Sequence, residues 1–467
     1  MLNTRHPFVA AALLSIFILD VVVKVSASPV AEGGGGSYSS TRRRPDTCRM
    51  LILLSVSRGP LWMYKRKLGP SLDIGILIKI HLLKCNELDE NPPLDDDWNW
   101  QWVTEEGQPG NVRDYDKLMM LLEETEEAGV LESYYDTSYG QYFLDRFQEV
   151  FPDNTQHREG LLQFLHQTVN TEEGTGSWLD MSAEDADQYD FQGEDYQWKN
   201  GYDTLITHLK KTIPDSIVHL SSPVTQVQWD SSEFPSQALV VTQNGKSFYA
   251  RHVLVTVPSA YLQKNHATMF QPSLPNDFLQ NLEAVKLGVA NKVQIGWAEP
   301  WWGNGLYSLN ILWSQFNLPP HMAWLYDVVS TFSVHQQKAV VELFVTGGSS
   351  IYMEELKEEE VKDHVMDLIT KASGQDVPQP TFFRRTRWSR DPWTLGSYAT
   401  FITVEGNRAG LHSHSQLASP IKNSAGHTVL LWAGEHTHDT RYGTVDGAMD
   451  TGNKEALRIL SLKSSSL

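Results

Sequence analysis

Cysteine is almost missing from this chain: Cys48 and Cys85 are the only two in 467 residues. Two thiols make no disulfide framework, and no cysteine–histidine spacing of a zinc site accompanies them, so no metal is expected. The pairs His412/His414 and His436/His438 read as loop histidines, since no run of further ligands lies near either. Basic charge is scarce as well. Against 57 Asp and Glu stand 38 Lys and Arg, a formal net charge of −19. That balance argues against nucleic acid as a partner and is permissive for a cationic one. An apolar run of membrane-spanning length is also lacking. The run from Phe8 to Val23 is short and Asp20 interrupts it. With Arg5 and His6 before it and Val25-Ser26-Ala27 after it, the run reads as a secretory signal peptide over residues 1–27, the competing reading being a single N-terminal anchor. The expected location is extracellular, with no integral span after cleavage.

What is present has the texture of a large enzyme, with 41% hydrophobic residues and 15 Trp. Residues 28–97 form an atypical region: a Gly/Ser-rich linker, then apolar runs at Met50 to Val56 and Ile74 to Leu83 broken by Pro60 and Pro70. From Trp98 the pattern becomes regular. Helical periodicity over 113–170 places Leu118, Leu121 and Leu122 on one face, and Phe143, Phe147 and Phe151 on another. An acidic stretch without Lys or Arg spans Thr171 to Asp195. "ALVVTQNGKSFYARHVLVTVP" predicts a hairpin with a type I′ turn at Asn244-Gly245, running on into a strand at Val253 to Val257. A long acidic helix is expected from Ser350 to Ala372.

The chain closes on "LLWAGEHTHDTRYGTVDGAMDTGNKEALRIL", a strand, a Gly-Glu corner, a polar loop and a helix. A parallel strand feeding a helix sets the helix N-terminus at the carboxyl edge of a sheet, where α/β proteins bind ligands and where the helix dipole favours negative charge. Thr444 is placed to cap that helix, and Gly447, Ala448 and Gly452 leave room for a bulky group.

"WAGEHT" followed by "YGTVDGAMDTGNKEA" resembles the C-terminal FAD signature of the flavin amine oxidases. The resemblance extends from about Trp98 to the end. "SSPVTQVQWD" and "HVLVTVP" are similar to the family's central FAD-domain strands, "LGVANKVQIGW" to its lysine-bearing strand, and "RWSRDPWTLGSYATF" to the segment lining the flavin ring. "WKNGYDTL" with "GSYATF" looks most like the spermine and acetylpolyamine oxidases. The resemblance implies an α/β plus α+β protein, in which a Rossmann-like FAD domain is interleaved with an amine-oxidase substrate domain. Residues 98–200 and 261–395 would form the substrate domain, and 201–260 and 396–467 the FAD domain.

It also implies roles. Glu435, after Gly434, would bind the ribityl or diphosphate region of FAD, the backbone at Thr444 and Val445 would face the pyrimidine end of the flavin, and Val224 would lie against the adenine. Lys292 matches the family lysine that holds a water near the reactive flavin nitrogen. Trp393 and Tyr398 would wall the amine pocket with aromatic faces, which suit a cation on an apolar stem. Asp187, Asp190 and Glu194 are candidates for the distal amine of a polyamine. The implied reaction is FAD-dependent oxidation of a polyamine by molecular oxygen to an aldehyde and a shorter amine, with release of hydrogen peroxide. The other reading is a catalytically inactive, secreted polyamine-binding module.

Two departures from the pattern matter. No G-x-G-x-x-G turn between a strand and a helix occurs in residues 1–97, although that turn makes the main diphosphate contacts in such folds. Residues 49–97 therefore read either as divergent sequence in a pseudo-enzyme or as a replaced exon in an active oxidase. Asp446 stands where relatives usually carry histidine, and Gly443 where some carry serine. A carboxylate turned toward the pyrimidine end would oppose flavin reduction.

Overall fold

A computed structural model describes residues 99–464, apart from 128, 191–193, 199–201, 212, 231–236, 335–336 and 338. It also describes the backbone of Val21–Ser26, Arg49–Leu54, Trp62–Lys65 and Leu88–Glu90; Glu194–Trp198 is likewise described as backbone. Ile74 to Leu83 and both cysteines lie outside the described residues.

Alternation builds the first sheet. In the strand His252–Thr256, Val253 and Val255 point to one side and Leu254 to the other, the period of two that buries a strand on both faces. Its neighbours Thr428–Trp432 and Arg49–Leu54 run parallel to it, with Val255 beside Trp432 and Thr256 beside Leu54. The three strands thus end at one edge, from which the Gly434-Glu435 corner projects. Leu254, Leu431, Ala433 and Ile459 cluster between the sheet and the C-terminal helix Val445–Ser464. The other side packs on a second, four-stranded sheet and on the helices Ser259–Met269 and Asn276–Ala284.

Arg49–Leu54 takes an interior place in this sheet, the place a first strand of such a domain occupies. Val21–Ser26, inside the stretch read as a signal peptide, pairs antiparallel with it from Val21↔Leu54 to Ser26↔Arg49. The residues after Leu54, where a phosphate-binding turn would stand, are outside the described set.

The second large sheet has six strands: Phe382–Arg385, Asn291–Gly296, Val340–Val345, Ser330–Ser333, Tyr307–Leu312 and Asn99–Thr104, in that spatial order. Val293, Ile295, Val341, Leu343, Leu309 and Ile311 form its apolar side, covered by Val361, Val365, Leu368 and Ile369 of the helix Glu358–Ser373. The opposite side carries Lys292, Glu342, Ser308 and Asn310, all buried nonetheless. The helices Val112–Glu123, Tyr139–Val150 and Arg158–Glu172 form a third core through Leu118, Leu121, Phe143, Phe147 and Phe151.

Two local expectations are corrected. The Ser350 to Ala372 helix is two helices, Gly347–Glu355 and Glu358–Ser373, because Leu356 is extended and the Glu360 carboxylate caps the second by accepting the Lys357 N–H. The hairpin turn is not type I′, since Gly245 is positive in φ (77°) and Asn244 is not. Gly245 N–H donates to the Thr242 carbonyl, and Thr242 N–H to that of Lys246, which is a three-residue loop closing on a left-handed glycine.

Candidate active site

Tyr398 stands at the junction of the two sheets. The short strand that follows it, Ala399–Ile402, is held at both ends by buried carboxylates. Ala399 N–H donates to Glu435 Oε1 (3.3 Å), and Ile402 N–H donates to Asp185 Oδ2 (2.8 Å). Glu435 Oε2 also accepts the Gly443 N–H at 2.9 Å. The Gly-Glu corner therefore pins the Tyr398 segment and the loop before the last helix at once. Burial pushes the Glu435 carboxyl up to about 7, against the opposing pull of those two N–H groups and of His414.

Tyr398 packs in one cluster with Phe344 and Ala290, flanked by Phe332. Lys292 Nζ lies 4.6 Å from the centre of the Phe344 ring. The structure thus brings together Lys292 and Tyr398, two side chains far apart in sequence. The Tyr398 hydroxyl is buried without a hydrogen-bond partner, and burial together with the charges of Glu173 and Glu435 holds it well above the usual phenol range. An orphaned donor on an aromatic wall is what a pocket for a polar ligand provides.

Thr444 caps the last helix: its hydroxyl accepts the Gly447 N–H at 3.0 Å and donates to the Arg441 carbonyl at 2.8 Å. Val445 is the first helical residue and is half-buried. Gly447 has a different reason than expected. A Cβ there would sit 2.1 Å from the Arg441 carbonyl oxygen, so the glycine admits the preceding loop rather than a ligand. Asp446 also departs from expectation. Its carboxylate is clamped by Arg441, which bridges it to Asp450 one turn on, so its charge is matched beside the helix start.

The remaining expected residues are dispersed. Trp393 is half-buried and stacks on Tyr261 (6.1 Å, 29°) rather than joining the Tyr398 cluster. Val224 opens the strand Val224–Gln228 and packs on the core of the four-stranded sheet. Gly434 is extended into positive φ (138°), its N–H donating to Thr451. The Asp187 carboxylate is already engaged, accepting the Tyr135 hydroxyl hydrogen bond, while the Asp190 N–H donates to the Thr440 carbonyl at 2.9 Å. The Asp190 contact does dock the acidic stretch against the loop before the last helix. Glu194 pairs through its backbone with Lys65; its side chain lies outside the described residues.

Other residues fill the acidic role better. Glu172 and Glu173 end the helix Arg158–Glu172, and both stay partly exposed although desolvation dominates each. Glu173 is pushed up to about 8 by burial and then by Asp185; Glu172 is raised by burial, then by Glu173 and Glu126. The two carboxyls are half-exposed yet poorly solvated, an acidic recess in the sense of restricted hydration. The next residue, Gly174, touches Tyr398, so that recess adjoins the aromatic wall. The loop-histidine reading also fails for two residues. His414 is fully buried, stacked on Tyr442 (4.1 Å, 19°) with Nε2 3.5 Å from Asp185. Burial pushes His436 down to about 3. No sequence pattern marks either residue as internal.

A parallel sheet ending in a Gly-Glu corner and a capped helix, joined through Tyr398 to a sheet whose inner side is polar yet buried, is the architecture of a cofactor-dependent two-domain oxidoreductase. The chain belongs to the flavin-containing amine oxidoreductase family, whose model matches residues 111–460. It is 30% identical over 287 residues to the human peroxisomal N(1)-acetyl-spermine/spermidine oxidase, covering 58% of this chain and 56% of that one. It is 26% identical over 367 residues to the bovine protein of the same name, covering 73% and 71%. A probable polyamine oxidase of Arabidopsis thaliana is 26% identical over 61% of this chain and 58% of its own length. The chain thus spans little more than half the length of the human relative it matches. Wild-type putrescine oxidase bound to putrescine superposes with a TM-score of 0.56 at 18% identity, over 76% of this chain and 77% of that one. The fold is that of a flavin amine oxidase, with FAD-binding and substrate domains. Among the described residues no helix is long and apolar enough to cross a membrane.

Proposed function

We propose that this chain is a secreted, FAD-dependent oxidase of polyamines of the spermine and acetylated polyamine class, with the amine bound between Tyr398 and Glu173. The observation that carries this reading is the orphaned Tyr398 hydroxyl, set between an aromatic-and-lysine cluster on one side and a desolvated carboxylate recess on the other. An aromatic wall receives the alkyl stem of a polyamine, and Glu172 and Glu173 receive a second cationic nitrogen. These two displace Asp187, Asp190 and Glu194 as the foremost substrate acids.

The residues at the ring end of the site fit FAD: a capped helix start, an Asp446 carboxylate clamped by Arg441, and Lys292 against the Phe344 ring that shares a cluster with Tyr398. When bound, FAD supplies the redox chemistry, accepting a hydride from the amine and passing the electrons to oxygen, with hydrogen peroxide as a product. The protein's share is to bind and orient. Glu435 and Asp185 fix the Tyr398 strand, Thr444 sets the helix start, and the Glu172/Glu173 recess draws the cation and fixes which carbon lies at the wall.

The second reading, a polyamine-binding module without flavin, is favoured by two observations: both Glu435 oxygens already accept backbone N–H groups, and residues 1–97 carry no fingerprint turn. Peroxide release from spermine, N-acetylspermine and putrescine, measured on the full chain and on Glu173→Gln, separates the two. The oxidase reading expects peroxide from at least one of the longer amines and a KM raised roughly tenfold or more in the variant. Tight spermine binding without peroxide would leave the binding module.

A further inference from the structure

The inner side of the six-stranded sheet carries a two-by-two patch set by register. Lys292 stands opposite Phe344, and Gln294 opposite Glu342, on antiparallel neighbouring strands. With a side-chain period of two, all four project to the same side. Lys292 Nζ lies 2.9 Å from Glu342 Oε1, and the two side chains are only 4% and 2% exposed. The approach is one of charge to charge, since Oε1 receives no well-aligned hydrogen bond. Gln294 Nε2 donates to the other oxygen, Oε2. The Phe344 ring covers the ammonium from a second direction and stacks on Phe332 (5.6 Å, 30°). The Lys292 backbone is fixed too: its N–H donates to Thr386 Oγ1 (2.8 Å) and its carbonyl accepts the Thr386 N–H (2.9 Å).

We infer that Glu342 is a positioning residue for Lys292: it is the counter-ion that holds the ammonium against Phe344 and cancels its charge beside the amine pocket. The role rests on the polyamine reading of that pocket. Phe344 shares its cluster with Tyr398, so an unmatched lysine there would face any cation seated on the Tyr398 wall. In a poorly solvated site a single uncompensated charge nearby weakens cation binding roughly tenfold or more. Glu342 removes that repulsion and also restricts where Nζ rests. A carboxylate two residues before Phe344 reaches the same side of the sheet, which is why the pair forms without distorting either strand.

The test uses the full chain, purified with FAD, as wild type, Lys292→Met, Glu342→Gln, the double variant, and Glu342→Asp. Breaking one half of a buried pair leaves the other unmatched, so each single removal is expected to lower the thermal midpoint by about 5 °C or more, and the double variant to recover most of the loss. Spermine binding, measured by calorimetry without turnover, is expected to weaken roughly tenfold in Glu342→Gln, to return in Glu342→Asp, and to match wild type in the double variant. A purely structural Glu342 would leave spermine affinity unmoved. Additive midpoint losses, or wild-type affinity in Glu342→Gln, would overturn the inference. If Glu342→Gln does not fold, Glu342→Asp and the double variant still decide it: weak spermine binding in the double variant contradicts charge cancellation. Failure of the wild type to bind spermine would sink the polyamine reading and the charge-cancelling role together, whereas recovery in the double variant would still uphold the counter-ion assignment.

Discussion

Gly174 presses its backbone against Tyr398: a Cβ on this residue would lie 1.9 Å from the phenol oxygen. Its φ of +62° is a conformation that side chains other than glycine adopt at a cost. The chain can turn from the Glu172/Glu173 recess onto the aromatic wall only because this position has no side chain. Gly174→Ala is expected to cost about 2–4 kcal/mol, combining overpacking with left-handed strain, and to displace Tyr398. Urea denaturation measures the first effect and spermine affinity the second. Unchanged stability would show that the close approach is not kept in solution.

The poorly solvated titratable groups govern how stability responds to pH. Glu173 and Glu435 are raised to about 8 and about 7, so between the ordinary carboxyl range and those values the folded chain holds protons that the unfolded chain has lost. Their contribution falls as pH rises through that window. His436 and His166 are depressed to about 3 and about 4, so the folded chain there lacks protons that the unfolded chain binds, and their contribution falls as pH drops from about 6.5. The two sets oppose each other between about pH 4.5 and 6.5. Above pH 6.5 only the carboxylates act, and the thermal midpoint of ligand-free protein is expected to decline from pH 6.5 to pH 8. Spermine should reverse that decline, because it pairs with the ionised acids. A midpoint that rises over this interval would contradict the recess.

Arg441 bridges Asp446 and Asp450 at the start of the last helix and offsets part of their charge. Arg441→Gln leaves two carboxylates where the helix dipole would otherwise favour an electron-rich ring. FAD affinity, followed by fluorescence, is expected to weaken roughly fivefold, the equivalent of about 1 kcal/mol. Adding Asp446→Asn should return most of it. Equal affinity in all three proteins would place the flavin ring elsewhere.

Val21–Ser26 pairs with Arg49–Leu54, yet it falls within the proposed signal peptide. If the address operates, protein collected from the medium of a secreting host begins after Ala27, and the sheet keeps its parallel strands without this edge partner. N-terminal sequencing of the secreted chain is expected to start near Ser28. Retention of Met1 to Ala27, or of the whole protein inside the cell, would remove the extracellular assignment.

The parts of the site formed by neighbours in sequence were legible. The strand, Gly-Glu corner and Thr444-capped helix follow from alternation, a glycine and a hydroxyl at fixed spacing, and they fold as expected. Lys292 and Tyr398 were found through family resemblance, not through any local pattern. Glu342 was invisible because its meaning lies in the register between two strands, and register is a tertiary fact. His414 and Asp185 likewise meet only through packing. The misread features are instructive in the same way. Gly447 looked like room for a ligand and is room for the Arg441 carbonyl, while Asp446, read as a carboxylate that would oppose flavin reduction if turned toward the pyrimidine end, is clamped by Arg441. Small residues and charges state that something comes close, but not what.

The central claim is that this chain binds flavin and reduces it with a polyamine, and one spectrum tests it. The full chain, purified from a secreting host with FAD present, is expected to show the visible absorption of an oxidised flavin, bleached by spermine in the absence of oxygen and restored by air. A soluble, folded and colourless protein would contradict the account.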